Sequence, residues 1–396
     1  MPRTSIPRPA RGDVAPSRCA RPALAALGHV EASQIDRWFA GAGAPPSADL
    51  ARSGAPGRTL REILALGTIA EQAAYFEMSL DYGAAEGTFA LREALASSGC
   101  VRRADEVVVT NGAVEALLLA CAAVAPDGGR IAVATPAYEG IWRCAEACGA
   151  ELVAIPVWRE GAVALDLAGF DEVLGSCAAI VVNRPHNPTG LTFTGEALRD
   201  LARRCTAADT VLIVDEVALA TLDPTARSFA FEAEFADGSV ITVGDVSKSL
   251  GLGGLRIGWL SSASARVLAR VRELKDLTSL GSSAPSQALA TLAVAHRRAL
   301  SPADLGQRNL AALTGLVAAF GGSMPLPADG LVAFPALSLP LPSLAFAELA
   351  RGADLAVLPG ALFGCEGRLR IGLGVAGEVF DAALERLAQL LGRLGR

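Results

Sequence analysis

Lysine is almost absent from this 396-residue chain, which carries Lys248 and Lys275 among 35 basic residues. Histidine is nearly as scarce, with three residues, and none of the eight cysteines forms a C-x-x-C pair. A zinc site needs a cluster of such ligands, so the sequence predicts no metal centre. Scattered cysteines without a disulfide framework predict a reduced protein of the cytoplasm.

The chain also lacks an excess of positive charge and any apolar run of membrane length. Its net charge of −6 and pI of about 5.3 argue against a nucleic-acid-binding protein. The longest apolar run, residues 116–125, ends at Pro126 and predicts a core helix rather than a membrane span. Residues 1–30 are rich in proline and arginine and predict a disordered arm, because Asp13 and the prolines do not suit a transit peptide.

Apolar residues make up 52% of the chain, which is enough for a large core. From about residue 105, β-like runs alternate with helical stretches, and these runs lie at residues 106–110, 130–134, 178–182, 210–214 and 240–243. Strands that are apolar on both faces, each followed by a crossover, predict a mainly parallel α/β sheet. Polar side chains follow these strands, at the edge where such sheets bind ligands.

Lys248 lies in a glycine-rich, mostly apolar segment, residues 243–259, around the end of the last of these strands. An amine that is desolvated in such a segment has a lowered pKa and becomes a nucleophile toward carbonyl groups. A lysine that forms a Schiff base with pyridoxal phosphate needs this property. The alternative is a surface lysine in a loop, and the neighbouring motifs favour the catalytic interpretation.

Three further side chains suit the ring of this cofactor. Asp215 follows a buried strand, where a carboxylate can pair with a protonated pyridine nitrogen, although a helix N-cap would also explain it. Asn187 can donate a hydrogen bond to the ring oxygen, although its run, His-Asn-Pro-Thr-Gly, is also good turn chemistry. Tyr138 can stack on the ring, although a lone aromatic is more often a core residue.

The turn at Gly112 and Ala113 leads from a predicted strand into a predicted helix, whose free amide groups can bind a phosphate. By itself this signal is weak, because many α/β turns look alike. Arg256, eight residues after Lys248, can bind the same phosphate through two hydrogen bonds. The hydroxyl of Tyr82 can donate a further one.

Two arginines of a β-like run, Arg368 and Arg370, can pair with the carboxylate of a substrate. They share strand parity, so the residues alone do not choose between them. A substrate that carries a guanidinium or another cation would find a natural partner in Glu62 or Glu216.

Together these segments resemble the aspartate-aminotransferase superfamily of pyridoxal-phosphate enzymes, which is fold-type I or aminotransferase class I/II. The resemblance runs from about residue 81 to the C-terminus, with the motifs in the family's order. These motifs are Tyr-x-x-x-x-Gly-x-x-x-Leu-Arg from Tyr82, Asn-Pro-Thr-Gly from Asn187, Asp-Glu from Asp215, Ser-Lys with an arginine eight residues later, and a terminal arginine.

The resemblance implies an α/β fold with a large domain, built on a mostly parallel seven-stranded sheet, and a smaller α+β C-terminal domain. It assigns residues 81–295 to the large cofactor-binding domain and 296–396 to the small one. Residues 31–80 would contribute to the small domain and to the entrance of the active site. It also implies a homodimer in which Tyr82 reaches the phosphate of the neighbouring subunit.

Carried over residue by residue, the resemblance makes Lys248 the catalytic residue, which holds the cofactor and moves the α-proton of the substrate. Arg370 and Asn187 would bind the amino-acid substrate. The remaining cofactor-binding positions are Tyr82, Gly112, Ala113, Tyr138, Asp215, Ser247 and Arg256, besides Asn187 and Lys248.

Within the superfamily, residues 35–39 and 50–62 are most similar to capreomycidine synthase-type cyclases of arginine-derived natural products. Two positions depart from ordinary aminotransferases. Ala218 stands where a tyrosine usually contacts the ring oxygen, and Asp245 stands where a serine or threonine usually contacts the phosphate. A carboxylate beside a phosphate is repulsive, so either Asp245 turns away or other donors, such as Ser247, hold the phosphate.

The loss of the tyrosine hydroxyl at Ala218 favours β- or γ-elimination, replacement or cyclisation of an α-amino acid. Transamination to a 2-oxo acid is the alternative. A non-catalytic relative, such as a transcription-factor module, is disfavoured because Lys248 is present and no basic helix-turn-helix segment precedes the domain.

Overall fold

The computed structural model describes residues 30–31, 33–41, 46–162 and 164–394. Residues 1–29 of the predicted N-terminal arm lie outside the described part of the chain. The β-strands of the described residues are β1 (Ala48–Asp49), β2 (Val107–Thr110), β3 (Gly129–Thr135), β4 (Ala150–Pro156), β5 (Ala179–Asn183), β6 (Val211–Asp215), β7 (Val240–Asp245), β8 (Gly258–Ser262), β9 (Val332–Ala333), β10 (Leu355–Ala356), β11 (Leu358–Pro359) and β12 (Leu369–Gly372).

Helices connect and cover these strands. The α-helices of the described residues are α1 (Gln34–Ala40), α2 (Leu60–Leu64), α3 (Ile69–Phe76), α4 (Phe89–Ser97), α5 (Ala113–Val124), α6 (Glu139–Ala147), α7 (Gly195–Ala207), α8 (Ser247–Leu250), α9 (Ala265–Lys275), α10 (Ala284–Ala295), α11 (Ala303–Ala319), α12 (Ser343–Gly352) and α13 (Gly377–Leu394). Short 3-10 helices lie at Ala104–Glu106, Ala168–Glu172, Phe229–Phe231, Ala233–Asp237, Gly253–Leu255 and Gly360–Phe363. None of the helices in the described ranges is long and apolar enough to cross a membrane.

Seven strands form the central sheet, in the order β2-β8-β7-β6-β5-β3-β4. The pairs from β7 through β6, β5 and β3 to β4 are parallel, and β8 is antiparallel to both β7 and β2. The predicted α/β fold with a mostly parallel seven-stranded sheet is therefore confirmed. The central parallel strands β5, β6 and β7 are almost entirely buried because crossover helices cover the two sides of the sheet.

The predicted strands appear in the structure with small shifts of their ends. Strands β5, β6 and β7 end on polar residues, Asn183, Asp215 and Asp245, which the sequence pattern put after the strands. The pattern of apolar runs also missed β4 and β8. Strand β8 contains two serines and does not form an apolar run. Strand β4 contains a short apolar run at residues 152–155 but lies half exposed at the edge of the sheet.

Two apolar cores enclose the central sheet. On one face, α5, α6 and α9 pack on the strands through a cluster that includes Leu119, Ile141 and Leu268. On the other face, α7 and the preceding 3-10 helix pack through Phe170 and Leu198. The connections thus hold the strand ends rigidly, which positions the residues that follow them.

A third core fills the C-terminal part of the chain. Strand β12 lies between β11 and β9, and α11, α12 and α13 pack around these strands. The N-terminal segment joins the same core, because β1 pairs with β10 and Leu50 is fully buried in it. The domain boundaries at residues 81–295 and 296–396 stay a prediction.

Candidate active site

A cleft of about 1010 Å³ opens at the carboxyl ends of β5, β6 and β7, between the central sheet and the C-terminal core. Such an edge is where α/β sheets bind ligands. The structure brings most of the predicted site residues together in its lining. These residues are Ala113, Tyr138, Asn187, Asp215, Ser247, Lys248, Arg256 and Arg370.

Two predicted residues lie outside this lining. Gly112 directly precedes α5 and lies next to the guanidinium of Arg256, which does line the cleft. Tyr82 is 90% exposed on the surface of the subunit, and its backbone amide donates to Asp81. Within a single chain, the hydroxyl of Tyr82 therefore does not reach the cleft.

Lys248 lies in the single turn of α8, at the base of the cleft. Its backbone carbonyl accepts a 2.8 Å hydrogen bond from the amide of Ala55, which ties the N-terminal segment to the turn. Desolvation lowers the pKa of the Lys248 amine, against the attraction of the nearby Asp245 carboxylate. A lowered pKa raises the neutral fraction of the amine, as a nucleophile or base requires.

Asp215 is the last residue of β6, and its carboxylate lies buried under the floor of the cleft. Burial raises the pKa of Asp215 to about 7, although the amide of Val217 donates a 3.0 Å hydrogen bond to its Oδ1. Among the described residues, no cationic side chain forms an ion pair with it. A protonated ring nitrogen would supply that missing positive charge, so Asp215 fits the ring of pyridoxal phosphate.

The phosphate end of the cleft is built on the start of α5. Gly112 has a φ of +88°, and a Cβ there would lie 2.2 Å from Nη2 of Arg256. Arg256 is held by the carbonyls of Gly253 and Asn111 at 3.1 and 3.3 Å. The first-turn amides of α5 have no partner within the helix, so this corner fits a phosphate group.

Asp245 turns its carboxylate toward Ser247. Its Oδ1 accepts hydrogen bonds from the amide of Ser247 at 2.8 Å and from the hydroxyl at 2.6 Å. The hydroxyl hydrogen of Ser247 is thereby used within the turn and is not directed at a phosphate. In this arrangement the phosphate donors are the α5 amides and Arg256, and the role predicted for Ser247 stays a prediction.

Arg370, on β12, is the arginine that lines the cleft. Its guanidinium donates to Oδ1 of Asn187 at 3.1 Å and to the carbonyl of Ala51 at 2.6 Å. Burial lowers its pKa to about 10, and its Nε has no hydrogen-bond partner in the described structure. A buried guanidinium without a carboxylate partner suits the carboxylate of a substrate.

Arg368 has a different environment, although it shares strand parity with Arg370. It donates a 2.8 Å hydrogen bond to the carbonyl of Phe334 and lies 4.8 Å from the ring centroid of Trp158. It does not line the cleft. Tertiary packing thus distinguishes Arg370 from Arg368, which the alternation of side chains along a strand could not do.

Tyr138 precedes α6, and its ring lies against Gly140, where a Cβ would approach Cε1 to 2.4 Å. Burial raises the pKa of its hydroxyl to about 12, and the carboxylate of Asp36 acts in the same direction. The ring forms one wall of the cleft. Ala218, three residues after Asp215, also lines the cleft and offers no hydroxyl.

The two glutamates predicted as partners of a cationic substrate do not lie in this cleft. Glu62 closes a capping box with Thr59 at the start of α2. Glu216 accepts hydrogen bonds from Arg184 at 3.1 Å and from the amide of Phe229 at 2.8 Å. That prediction is therefore wrong, because local capping and a buried ion pair occupy both carboxylates.

Sequence reasoning missed the residues that reach the cleft from the N-terminal segment. Asp36 and Phe39 of α1 line it, as do Asp49 and Arg52 next to β1. The segment at residues 35–39 carried a family resemblance but no role. No local pattern marks these residues, because only the packing of α1 across the chain puts them at the site.

The arrangement of lysine, buried aspartate, asparagine and helix N-terminus matches a known family. Residues 61–387 match the family described as Aminotransferase class I and II. The chain belongs to the class I and II aminotransferase family. As members of this family use pyridoxal phosphate, the predicted cofactor is confirmed, and the chain is a pyridoxal-phosphate-dependent enzyme of this family.

Individual relatives of this aminotransferase-family chain differ in their reactions. It is 30% identical to capreomycidine synthase of Streptomyces vinaceus, over 92% of this chain and 95% of the relative. It is also 30% identical to the arginine–pyruvate transaminase of Pseudomonas aeruginosa, over 79% and 84%. The solved structure of the PLP-dependent cyclase OrfR superposes with a TM-score of 0.80 at 27% identity, over 98% of this chain and all of that one.

Proposed function

We propose that this enzyme acts on an α-amino acid by β- or γ-elimination, replacement or cyclisation, in the biosynthesis of a natural product. The observation that carries the proposal is Ala218, which lines the cleft beside Asp215 where ordinary aminotransferases have a tyrosine. The similarity to capreomycidine synthase and to the cyclase OrfR, each over more than nine-tenths of this chain, supports it.

Lys248 is the residue that we propose holds the cofactor and moves protons. Bound pyridoxal phosphate supplies an electron sink that stabilises negative charge at the substrate Cα. With its pKa lowered by desolvation, Lys248 can take the Cα proton as a general base. Because Lys248 is anchored through its backbone to Ala55, the amine works from a fixed position.

The other site residues orient the two reactants. Arg370 would hold the substrate carboxylate, and the amide of Asn187 would donate to the ring oxygen. The two side chains contact each other, so these two binding positions are adjacent. Asp215 would keep the ring nitrogen protonated, and Tyr138 would cover the ring. Gly112, Ala113 and Arg256 would bind the phosphate.

Elimination then needs a leaving group and a proton for it. The bond from Cβ to the leaving group breaks with its electron pair, and the proton that Lys248 took from Cα can leave with that group. A hydroxyl would depart as water. An internal nucleophile that adds afterwards closes a ring, and no 2-oxo acid is consumed in the sequence.

Transamination is the second candidate function. It is supported by the similarity to the arginine–pyruvate transaminase and to the aspartate/prephenate aminotransferase of Thermus thermophilus, which is 28% identical over 79% of this chain. In that reaction, Lys248 would not pass its proton to a substrate leaving group, and the amino group of the substrate would be transferred instead of a bond at Cβ or Cγ being broken. A 2-oxo acid would then be required for turnover.

We also propose that two copies of the chain form a homodimer. Exposed apolar side chains gather on α3 and on the segments around residues 80–89 and 277–280. They are Ile69, Phe76, Leu80, Tyr82, Phe89, Leu277 and Leu280. Exposed apolar side chains mark interfaces where they form a contiguous patch, and the family resemblance directs Tyr82 to the phosphate of the second subunit. The cytoplasmic location stays a prediction.

The test is a product mass spectrum of the cofactor-loaded enzyme. Amino acids with β or γ leaving groups, among them hydroxyarginines, are supplied with and without a 2-oxo acid. A product that lacks the leaving group or is cyclised, formed without the oxo acid, supports the proposal. A keto product that forms only with the oxo acid would make the enzyme an aminotransferase.

A further inference from the structure

Helix α1 forms a fixed wall of the cleft. The carboxylate of Glu139 accepts hydrogen bonds from the hydroxyl of Ser33 at 3.1 Å and from the amides of Gln34 and Ile35 at 2.6 and 3.2 Å. Glu139 is 2% exposed and is itself held by Arg143 at 2.8 Å. The start of α1 is thus bound to the first residue of α6, next to Tyr138.

Asp36, on this helix, is exposed and lines the cleft. Its amide donates to the Ser33 hydroxyl at 3.1 Å, and the preceding Ile35 is 1% exposed in an apolar cluster, so the backbone leading to Asp36 is constrained. Asp36 and Phe39 both line the cleft, with Tyr138. The effect of the Asp36 charge on the Tyr138 hydroxyl agrees with this proximity.

Four carboxylates line the cleft, and three of them have partners or a proposed role. Asp49 accepts from the amide of Ala51 at 3.0 Å and from Nε of Arg52 at 2.7 Å. Asp245 binds Ser247, and Asp215 is the residue proposed to pair with the ring nitrogen. Asp36 has no hydrogen bond or ion pair to its carboxylate among the residues that the structure describes.

The cleft therefore presents charges of opposite sign at two separate places. Arg370 offers a cation to one end of a ligand, and Asp36 offers an anion on the α1 wall. Tyr138 lines the same cleft, and both charges act on its hydroxyl, so it is close to each of them. A substrate whose carboxylate binds Arg370 can extend its side chain past Tyr138 toward Asp36.

We propose that Asp36 selects amino-acid substrates that carry a cation at the end of the side chain, with a guanidinium as the preferred group. A planar guanidinium can form two hydrogen bonds with a carboxylate and stack on aromatic rings, which Phe39 and Tyr138 provide. This inference rests on the proposed function, because it assigns Arg370 to the substrate carboxylate.

Binding without turnover tests this role. Cofactor-loaded wild type and Asp36→Asn are titrated with arginine and with citrulline, its neutral isostere, and binding is followed by the change in cofactor absorbance. Lysine and norleucine form a second pair, which separates a guanidinium from an ammonium. Wild type is expected to bind arginine about tenfold more tightly than citrulline, as one charged hydrogen-bonded pair provides.

In Asp36→Asn, the preference for arginine is expected to fall to near unity, while the affinity for citrulline stays the same. Asp36→Glu should retain part of the preference. Arg37→Gln is the matched control, because Arg37 is an exposed charge on α1 that does not line the cleft. An unchanged preference in a folded Asp36→Asn protein would overturn the role of Asp36.

Failure of the proposed function has a different signature. If neither protein shows a cofactor absorbance band that depends on Lys248, the proposed site of the cofactor is wrong. Calorimetric titration with arginine and citrulline, which needs no cofactor, then still compares the two proteins. An equal arginine preference in both would count against Asp36 in that case too.

Discussion

The guanidinium of Arg370 donates a 3.1 Å hydrogen bond to Oδ1 of Asn187, across the cleft from the C-terminal strands to the loop after β5. Residues 183 positions apart in sequence thereby hold one substrate-binding corner. Because the amide oxygen of Asn187 accepts this bond, its amide nitrogen is the group left to donate to a ligand in the cleft. Two of the proposed ligand contacts thus depend on one another.

Replacing Arg370 by Ala should raise KM strongly with a smaller effect on kcat. A charged hydrogen bond contributes roughly 2–4 kcal/mol, so kcat/KM should fall by about 30- to 1000-fold. Steady-state kinetics with the natural class of substrate measures this. Arg368→Ala should instead lower stability, since Arg368 packs on Trp158. A KM that does not change in Arg370→Ala would assign the carboxylate to another residue.

Reduction with borohydride should attach the cofactor to Lys248 and not to Lys275. The amine of Lys275 is buried and donates to Ser279 at 2.7 Å, so it cannot reach a ligand in the cleft. Peptide mass spectrometry locates the added mass, with Lys275 as a control in the same molecule. Lys248→Ala should fold, lose the label and lose all turnover. Turnover by that variant would defeat the mechanism.

The cofactor-free protein should lose stability as pH rises from about 4 to about 7 because of Asp215. Its pKa rises from 3.8 to about 7 in the folded state, so folding favours the protonated form. The contribution of Asp215 to the free energy of unfolding is fully present at pH values below its unfolded pKa. It is lost as pH rises to its folded pKa, and the total loss is at most on the order of 4 kcal/mol.

Urea unfolding of the cofactor-free wild type and Asp215→Asn at pH 5 and pH 8 checks this prediction. Asn carries no charge, so the variant should be less sensitive to this pH change, and at pH 8 it should be the more stable of the two proteins. The difference between the proteins removes the contributions of other groups. Equal pH slopes would mean that Asp215 does not carry the effect.

Replacing Ala218 by Tyr should shift the reaction toward transamination. The new hydroxyl would lie in the cleft near Asp215, where it can hydrogen-bond the ring oxygen and change the fate of the proton on Lys248. The ratio of keto product to eliminated or cyclised product measures the shift. Ala218→Phe adds the ring without the hydroxyl and is the control. The same shift in both variants would implicate ring volume rather than hydrogen bonding.

Asp245→Ser should bind pyridoxal phosphate more tightly than the wild type. The change removes a negative charge from the cleft near the phosphate position and releases the hydroxyl of Ser247 from its 2.6 Å hydrogen bond. Equilibrium titration of the cofactor-free proteins gives the two Kd values, and Asp245→Asn isolates the effect of charge. A Kd that is the same in all three proteins would show that Asp245 does not oppose phosphate binding.

Local sequence was sufficient for the residues that follow the strands. Asp215, Asn187 and Lys248 each come at or just after the end of a buried apolar run, and parallel strands deliver such ends to one edge of the sheet. The glycine at position 112 also reflects local chemistry, because the turn into α5 requires a positive φ, which glycine adopts most readily. These features depend on short-range chemistry and on sheet topology alone.

By itself, then, the sequence determined the α/β sheet, the cofactor and the family, since these follow from apolar periodicity and from ordered local motifs. Tertiary structure decided the rest. Arg368 packs on Trp158 and Glu216 pairs with Arg184, so neither side chain is available to a ligand in the cleft. The carboxylate of Glu139 accepts hydrogen bonds from the start of α1, and this contact positions Asp36 at the cleft. Contacts between residues far apart in the chain leave no periodic trace in sequence, because each is made by side chains whose neighbours are set only when separate elements pack together.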